Sequence, residues 1–95
     1  MTSQEKIEKL SKISNEWRCY ICGSLYDLDL HHCLHGSYKR LAEEDSLYVA
    51  LCRSCHSKLH NTGFKDKDLK RDAQNAFIKY HSREEFLIRY GKYFD

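Results

Sequence analysis

Apolar positions recur along this chain with two different periods, and each change of period marks an element. Near the N-terminus, Ile7, Leu10, Ser14 and Trp17 fall on one face at spacings of three and four. Thr2 and Glu5 have the spacing of a capping box, so residues 3–17 are predicted to be a helix. The pattern then shortens. Residues 25–30 and 47–51 suit strands, and residues 36–45 read as the connection between them. Residues 55–61 suit a short helix. Beyond Gly63 the helical period returns: residues 68–81 carry Leu69, Ala73, Phe77 and Tyr80 on one stripe. Residues 82–90 open on a second capping-box pair, Ser82 and Glu85, and close at Gly91.

No repeat, linker or low-complexity tract divides these elements, and the chain has no proline. The pattern therefore describes a single domain over residues 1–95. Residues 1–17 form an N-terminal helical part, 18–62 a central core and 63–95 a pair of C-terminal helices.

Size changes the picture next. At 95 residues, the chain is near the lower end of lengths that bury an adequate core unaided, so a covalent or metallic staple is expected. Five cysteines could supply it. The N-terminus is charged and amphipathic and lacks the apolar run of a secretory signal, so a cytoplasmic location is expected, with reduced thiols that act as metal ligands. No apolar stretch approaches membrane-spanning length, which predicts a soluble protein without membrane partners. The formal net charge of +2 is too small to argue for nucleic acid, so any basic footprint has to be local.

The spacing of the cysteines says what the staple is. Cys19 and Cys22 form one CxxC pair, and Cys52 and Cys55 form a second. Each pair places two thiolates at a distance suited to one tetrahedral Zn²⁺, and an all-sulfur site is closed and hence structural. The first pair runs into Gly23 as in a zinc knuckle. The second starts at the end of an apolar strand and enters a helix, the layout of a treble-clef finger. Cys33 is left over and reads as a small buried residue.

Histidines supply a second constellation. His56 and His60 are spaced i,i+4 on the predicted helix, so they stack on one face, and they point away from the zinc if Cys55 points towards it. A two-histidine site of this kind needs a third ligand, with positions left open for water and substrate. The segment "LHHCLHG" offers it. His31 and His32 end the first strand, where neighbouring side chains point to opposite faces. One of the two can join His56 and His60, and the other can face a substrate as a general base, a task suited to a group with an ordinary pKa near 6.5.

In "CYICG", "LDLHHCLHG" and "LYVALCRSCHSKLH", taken in this order over residues 19–61, the chain resembles the HNH nucleases of the His-Me finger, or ββα-metal, superfamily. The C-terminal "LKRDAQNAFIKYHSREEFLIRYGKYF" is similar, less specifically, to the tails of small phage and prophage HNH-like proteins. The resemblance implies a small, zinc-stabilised α+β domain: a treble-clef ββα-metal core with flanking N- and C-terminal helices, working in the cytoplasm of a bacterium or phage-infected cell. It implies that His31 is a ligand, His32 the general base, and His56 and His60 the helix ligands of a divalent cation. Mg²⁺ or Mn²⁺ is expected there, and an imidazole-rich site also accepts Ni²⁺ or Zn²⁺. DNA is the implied partner, cut to leave 5′-phosphates by a monomer or a homodimer. Contacts to DNA are expected from His35, Lys39, Arg40, Arg53 and Lys58. Lys65, Lys67, Lys70 and Arg71 alternate with Asp66, Asp68 and Asp72 and read as a solvated helix face.

The chain departs from the family at two points. Leu47 stands where the family's middle asparagine is expected, and the proline that usually follows the histidine pair is missing. The alternative expectation is accordingly a non-catalytic HNH-like module that binds nucleic acid or a protein, for instance in phage recombination or replication.

Overall fold

Two short strands carry most of the central part, and a two-stranded sheet is marginal by itself in water. In the computed structural model, which describes residues 1–95, β1 (Leu28–His32) pairs antiparallel with β2 (Tyr48–Cys52), with Leu28 opposite Cys52 and His32 opposite Tyr48. Five helices surround this ribbon: α1 (Ser3–Leu10), α2 (Lys39–Glu44), α3 (Arg53–Thr62), α4 (Asp66–Tyr80) and α5 (Arg83–Tyr90), with a single 3₁₀ turn over Gly36–Tyr38. The result is a small α+β domain. No helix is long and apolar enough to cross a membrane.

Every residue of β2 is buried, which explains its unbroken "YVALC" run. Its far edge is also used: Tyr20 N–H donates to the Ala50 carbonyl at 2.8 Å, so the turn that carries Cys19 and Cys22 docks beside the strand. The main core joins Val49 and Leu51 of β2 to Leu59 of α3, Leu69, Ala73 and Phe77 of α4, and Phe86 and Tyr90 of α5. Burying so much aliphatic and aromatic surface against one short ribbon is what gives the ribbon independent stability.

The first helix is half the predicted length. Its capping box is present, with Glu5 N–H donating to Thr2 Oγ1 at 3.1 Å and Thr2 N–H donating to Glu5 Oε1 at 3.0 Å. It stops at Leu10 instead of running on to Trp17. Ser11 is the cause: its hydroxyl donates to the Tyr48 carbonyl at 2.6 Å and accepts from Ile13 and Ser14 N–H, while Asn15 Nδ2 donates to the Ile7 and Ser11 carbonyls. Short polar side chains thus take over the backbone partners that a continuing helix would use. Of the predicted face only Ile7 is fully buried, and Leu10 is exposed.

Residues 36–45, read as a connection, instead form the 3₁₀ turn and α2. Ala42 is the only fully buried residue of this six-residue helix, so it leaves no apolar stripe to read. The strands sit slightly C-terminal to prediction. Tyr80, expected on the buried stripe of α4, is exposed, and Gln74 and Ala76 are buried instead. At α5 the Ser82 cap is made, with Glu85 N–H donating to Ser82 Oγ at 3.0 Å, but the reciprocal half of the box is replaced by a 3.2 Å contact of Glu85 Oε2 with His81 Nδ1.

One polar node ties three of these parts together. The Asp45 carboxylate accepts from Arg89 Nε and from the Tyr90 hydroxyl, both at 2.6 Å, while the Asp45 carbonyl accepts from Lys12 Nζ at 2.6 Å. Burial and the adjacent carboxylate push the Tyr90 phenol well above its usual range. Replacing the carboxylate strands the buried Tyr90 hydroxyl and leaves the Arg89 guanidinium with Glu44, 2.9 Å from its Nη2, as its remaining partner. Asp45→Ala is therefore expected to lower unfolding free energy by roughly 2 kcal/mol in a urea titration. A loss within 0.5 kcal/mol, the scale of a neutral surface change, would show that the node is ornamental.

Candidate metal centres

Cys19 and Cys22 sit on a tight turn closed by Gly23 N–H donating to the Cys19 carbonyl at 2.9 Å, with Gly23 at φ +81°, a conformation that glycine adopts without a Cβ penalty. Cys52 ends β2 and caps α3, its sulfur accepting from Cys55 N–H at 3.4 Å. The four sulfurs of Cys19, Cys22, Cys52 and Cys55 thereby come within 4.8 Å of one another, and all four thiols are free. This is a group that could hold a metal ion. Burial opposes charge on Cys19, but backbone N–H groups of Cys22, Cys52 and Ile21 directed at its sulfur outweigh it and bring the thiol down to about 6. Cys33 lies apart from the group, fully buried, and burial drives its thiol far up, as expected of an inert core residue.

Across α3 from the sulfurs lies the histidine cluster. The ring nitrogens of His31, His56 and His60 also gather within 4.8 Å, and His32 is not among them. Strand alternation does what it was expected to do: His31 is buried against α3, while His32 turns to the other face, where its ring meets Tyr48 edge-on at 5.7 Å. His31 Nδ1 stands 3.3 Å from His56 Nε2, and His31 Nε2 is buried with no hydrogen-bond partner. Burial, then the neighbouring imidazoles of His56, His35 and His60, depress His31 to about 3, and burial also lowers His60. Three imidazoles with nitrogens this close do not satisfy one another fully by hydrogen bonding, since His31 Nε2 is left without a partner. A divalent cation would, so the donor set fits a metal.

Asp29 completes the arrangement. Two residues before His31 in β1, it lies on the same face, and its Oδ2 is 3.4 Å from His56 Nδ1. A carboxylate behind a ligating imidazole orients the ring and keeps its other nitrogen protonated, and the i,i+2 spacing in "LDLHH" was the available sequence signal. His35 was expected to touch DNA. Here its Nε2 is held 2.8 Å from Asp66 Oδ1 at the start of α4, and Lys70 Nζ binds the other Asp66 oxygen at 3.0 Å. Burial opposes the Asp66 charge, but these two partners outweigh it and lower the carboxyl.

A half-open cavity of about 320 Å³ lies over the cluster, lined by Leu30, His31, His32, His35, Gly36, Lys39, His56 and His60. Residues from both faces of β1 reach it, because β1 has only one paired edge. Of the cationic residues expected at DNA, Lys39 lines this cavity. Arg53 and Lys58 are exposed on α3, with Arg53 3.9 Å from Asp29 and Lys58 over the Phe64 ring at 4.9 Å. Arg40 is exposed on α2 and paired with Glu44 at 2.8 Å. Lys65, just before α4, and Lys70 and Arg71 within it each pair with an aspartate of that helix, as a solvated face does. Glu43 was missed altogether. It contacts His32 Nε2 at 2.8 Å and Lys6 Nζ at 2.6 Å, and Lys6, then His32, hold its carboxyl below the usual range.

If the three imidazoles share an ion, His56→Ala should remove most of the affinity for Mn²⁺ or Ni²⁺ in calorimetric titration, about 10²-fold on the scale of a lost ligand or its support. Equal binding by wild type and variant would reduce His56 to a helix-surface residue. Comparison with family models, with curated proteins and with solved structures finds nothing that matches this chain.

Proposed function

We propose that the chain is a zinc-stabilised, metal-dependent DNA endonuclease or nickase of the HNH kind. One observation carries this reading: the ring nitrogens of three imidazoles gather within 4.8 Å beneath a cavity that His32 and His35 also line without belonging to that set. A site that only bound metal for stability would be closed. This one lies under a half-open cavity that Lys39 also lines.

The tetrathiolate group suits Zn²⁺, whose preference is four soft ligands in a tetrahedron. The imidazole group suits a divalent ion such as Mg²⁺, Mn²⁺, Ni²⁺ or Zn²⁺, which supplies positive charge to a phosphodiester as negative charge builds on it. The chain's own residues do the rest. Asp29 and the burial of His31 hold the ligands in place. Lys39, with Arg53 and Lys58 on the adjoining helix face, attracts the phosphate backbone and positions it without reading base sequence. His32 accepts a proton from a water molecule as that water attacks phosphorus in line. The bond from phosphorus to the 3′ oxygen breaks, the 3′ oxygen takes up a proton, and the 5′ side keeps the phosphate.

Supercoiled plasmid incubated with the purified chain and Mg²⁺ or Mn²⁺ is expected to convert to the nicked form. If neither those ions nor Ni²⁺ or Zn²⁺ support cutting of supercoiled, linear or branched DNA, the nuclease reading is wrong. A non-catalytic module that binds nucleic acid or protein then takes its place, consistent with Leu47 being a fully buried core residue where the resembled family keeps an asparagine.

A further inference from the structure

Two helices with no part in either metal group converge on His32. Glu43 of α2 places one carboxylate oxygen 2.8 Å from His32 Nε2, and Lys6 of α1 binds the other oxygen at 2.6 Å. The same Lys6 ammonium lies over the Tyr48 ring at 5.6 Å, and that ring meets His32 edge-on. His32 is thus held by Glu43 and Tyr48, both braced by Lys6, with its side chain only 13% exposed although it lines the cavity. A residue kept merely to fill space would not need a carboxylate and an ammonium arranged in series behind it.

We infer that Glu43 is the positioning residue of this site: fixed by Lys6, it holds His32 as the Nε2–H tautomer and so presents the bare Nδ1 to the cavity. An ionised carboxylate can only accept hydrogen bonds, so the nitrogen facing it must carry the proton. A neutral imidazole has one proton, and the other nitrogen is left with its lone pair free. That free nitrogen is the atom a general base needs. A carboxylate behind a catalytic histidine performs this task elsewhere by tautomer and orientation, without itself taking the proton. The consequence for rate rests on the nuclease reading above, whereas the tautomer itself follows from the Lys6–Glu43–His32 geometry alone.

The test joins two readouts on the full chain. Long-range ¹⁵N–¹H NMR without the divalent ion, with His32 assigned by comparison with His32→Ala, reports which ring nitrogen is protonated. Wild type should show Nε2–H. Glu43→Gln is nearly the same shape, but its amide can donate to Nε2. It should shift His32 towards Nδ1–H, and Glu43→Asp should retain Nε2–H. In plasmid nicking, Glu43→Gln should lower kcat by about 10²-fold or more with KM for DNA unchanged, and Glu43→Asp should recover part of the loss.

An Nδ1–H tautomer in wild type, or a tautomer unmoved in Glu43→Gln, overturns the inference. So does full kcat in Glu43→Gln, even with the nuclease reading intact. If wild type cuts no DNA while Glu43→Gln switches the tautomer, the positioning role stands and the nuclease reading falls.

Discussion

If Cys19, Cys22, Cys52 and Cys55 hold a metal, its chelation is expected to unfold the chain, and Cys22→Ser is expected to do the same. Such a group does not exist in the unfolded chain, so its binding energy is folding energy, on the order of 10 kcal/mol for small zinc domains. That is comparable to the whole stability of an ordinary domain. The turn carrying Cys19 and Cys22 docks on β2 through Tyr20 and Ala50, and α3 starts directly after Cys52 at the C-terminal end of the same strand, so the ion would clamp turn and helix to the ribbon. Cys22 makes the test sharp because it is exposed. Serine at an exposed, unliganded position changes stability by no more than about 0.5 kcal/mol, whereas loss of a ligand should abolish the cooperative thermal transition seen by circular dichroism. Cys33→Ala, buried but outside the group, is the control and should keep both metal and fold. A Cys22→Ser protein that melts at the wild-type temperature, or a folded wild type carrying no metal by elemental analysis, would remove the site.

His32→Ala should lower DNA cleavage by about 10²-fold or more, the scale of a positioned general base, while leaving both metals and DNA binding nearly unchanged. The separation follows from geometry. His32 lies outside the convergent imidazoles and on the opposite face of β1 from His31, so its removal opens no coordination position. His60→Ala should behave differently, losing the divalent ion and cleavage together. Exogenous imidazole should restore part of the activity of His32→Ala if the missing group is the proton acceptor, and none of that of His60→Ala. Undiminished cleavage by His32→Ala would show that the base is elsewhere. Loss of metal along with activity would make His32 a ligand and contradict the division of labour between the two adjacent histidines.

The features legible in the sequence are those fixed by short-range geometry. A CxxC spacing brings two sulfurs together whatever surrounds it, an i,i+4 pair shares a helix face, and adjacent strand residues diverge. Those rules alone lead to Cys19, Cys22, Cys52 and Cys55, to His56 with His60, and to the separation of His31 from His32. The capping boxes belong to the same class, and the one at Thr2 is present in full.

What the local rules could not decide depends on partners far away in the chain. The first helix stops where Ser11 finds the Tyr48 carbonyl 37 residues later, a hydrogen bond that no propensity anticipates. The α2 helix has no readable stripe because it buries chiefly Ala42, and its Glu43 meets His32 of β1 and Lys6 of α1, contacts that span 11 and 37 residues. Asp66 meets His35 across 31 residues, and Asp45 meets Arg89 across 44. The sequence by itself determined which atoms could bind metal, since ligand chemistry and one-turn spacing are local. Only the tertiary structure decided which histidine joins His56 and His60, which turns to the other face, and which carboxylates contact the rings, because burial and long-range contact select among rotamers and tautomers that are locally equivalent.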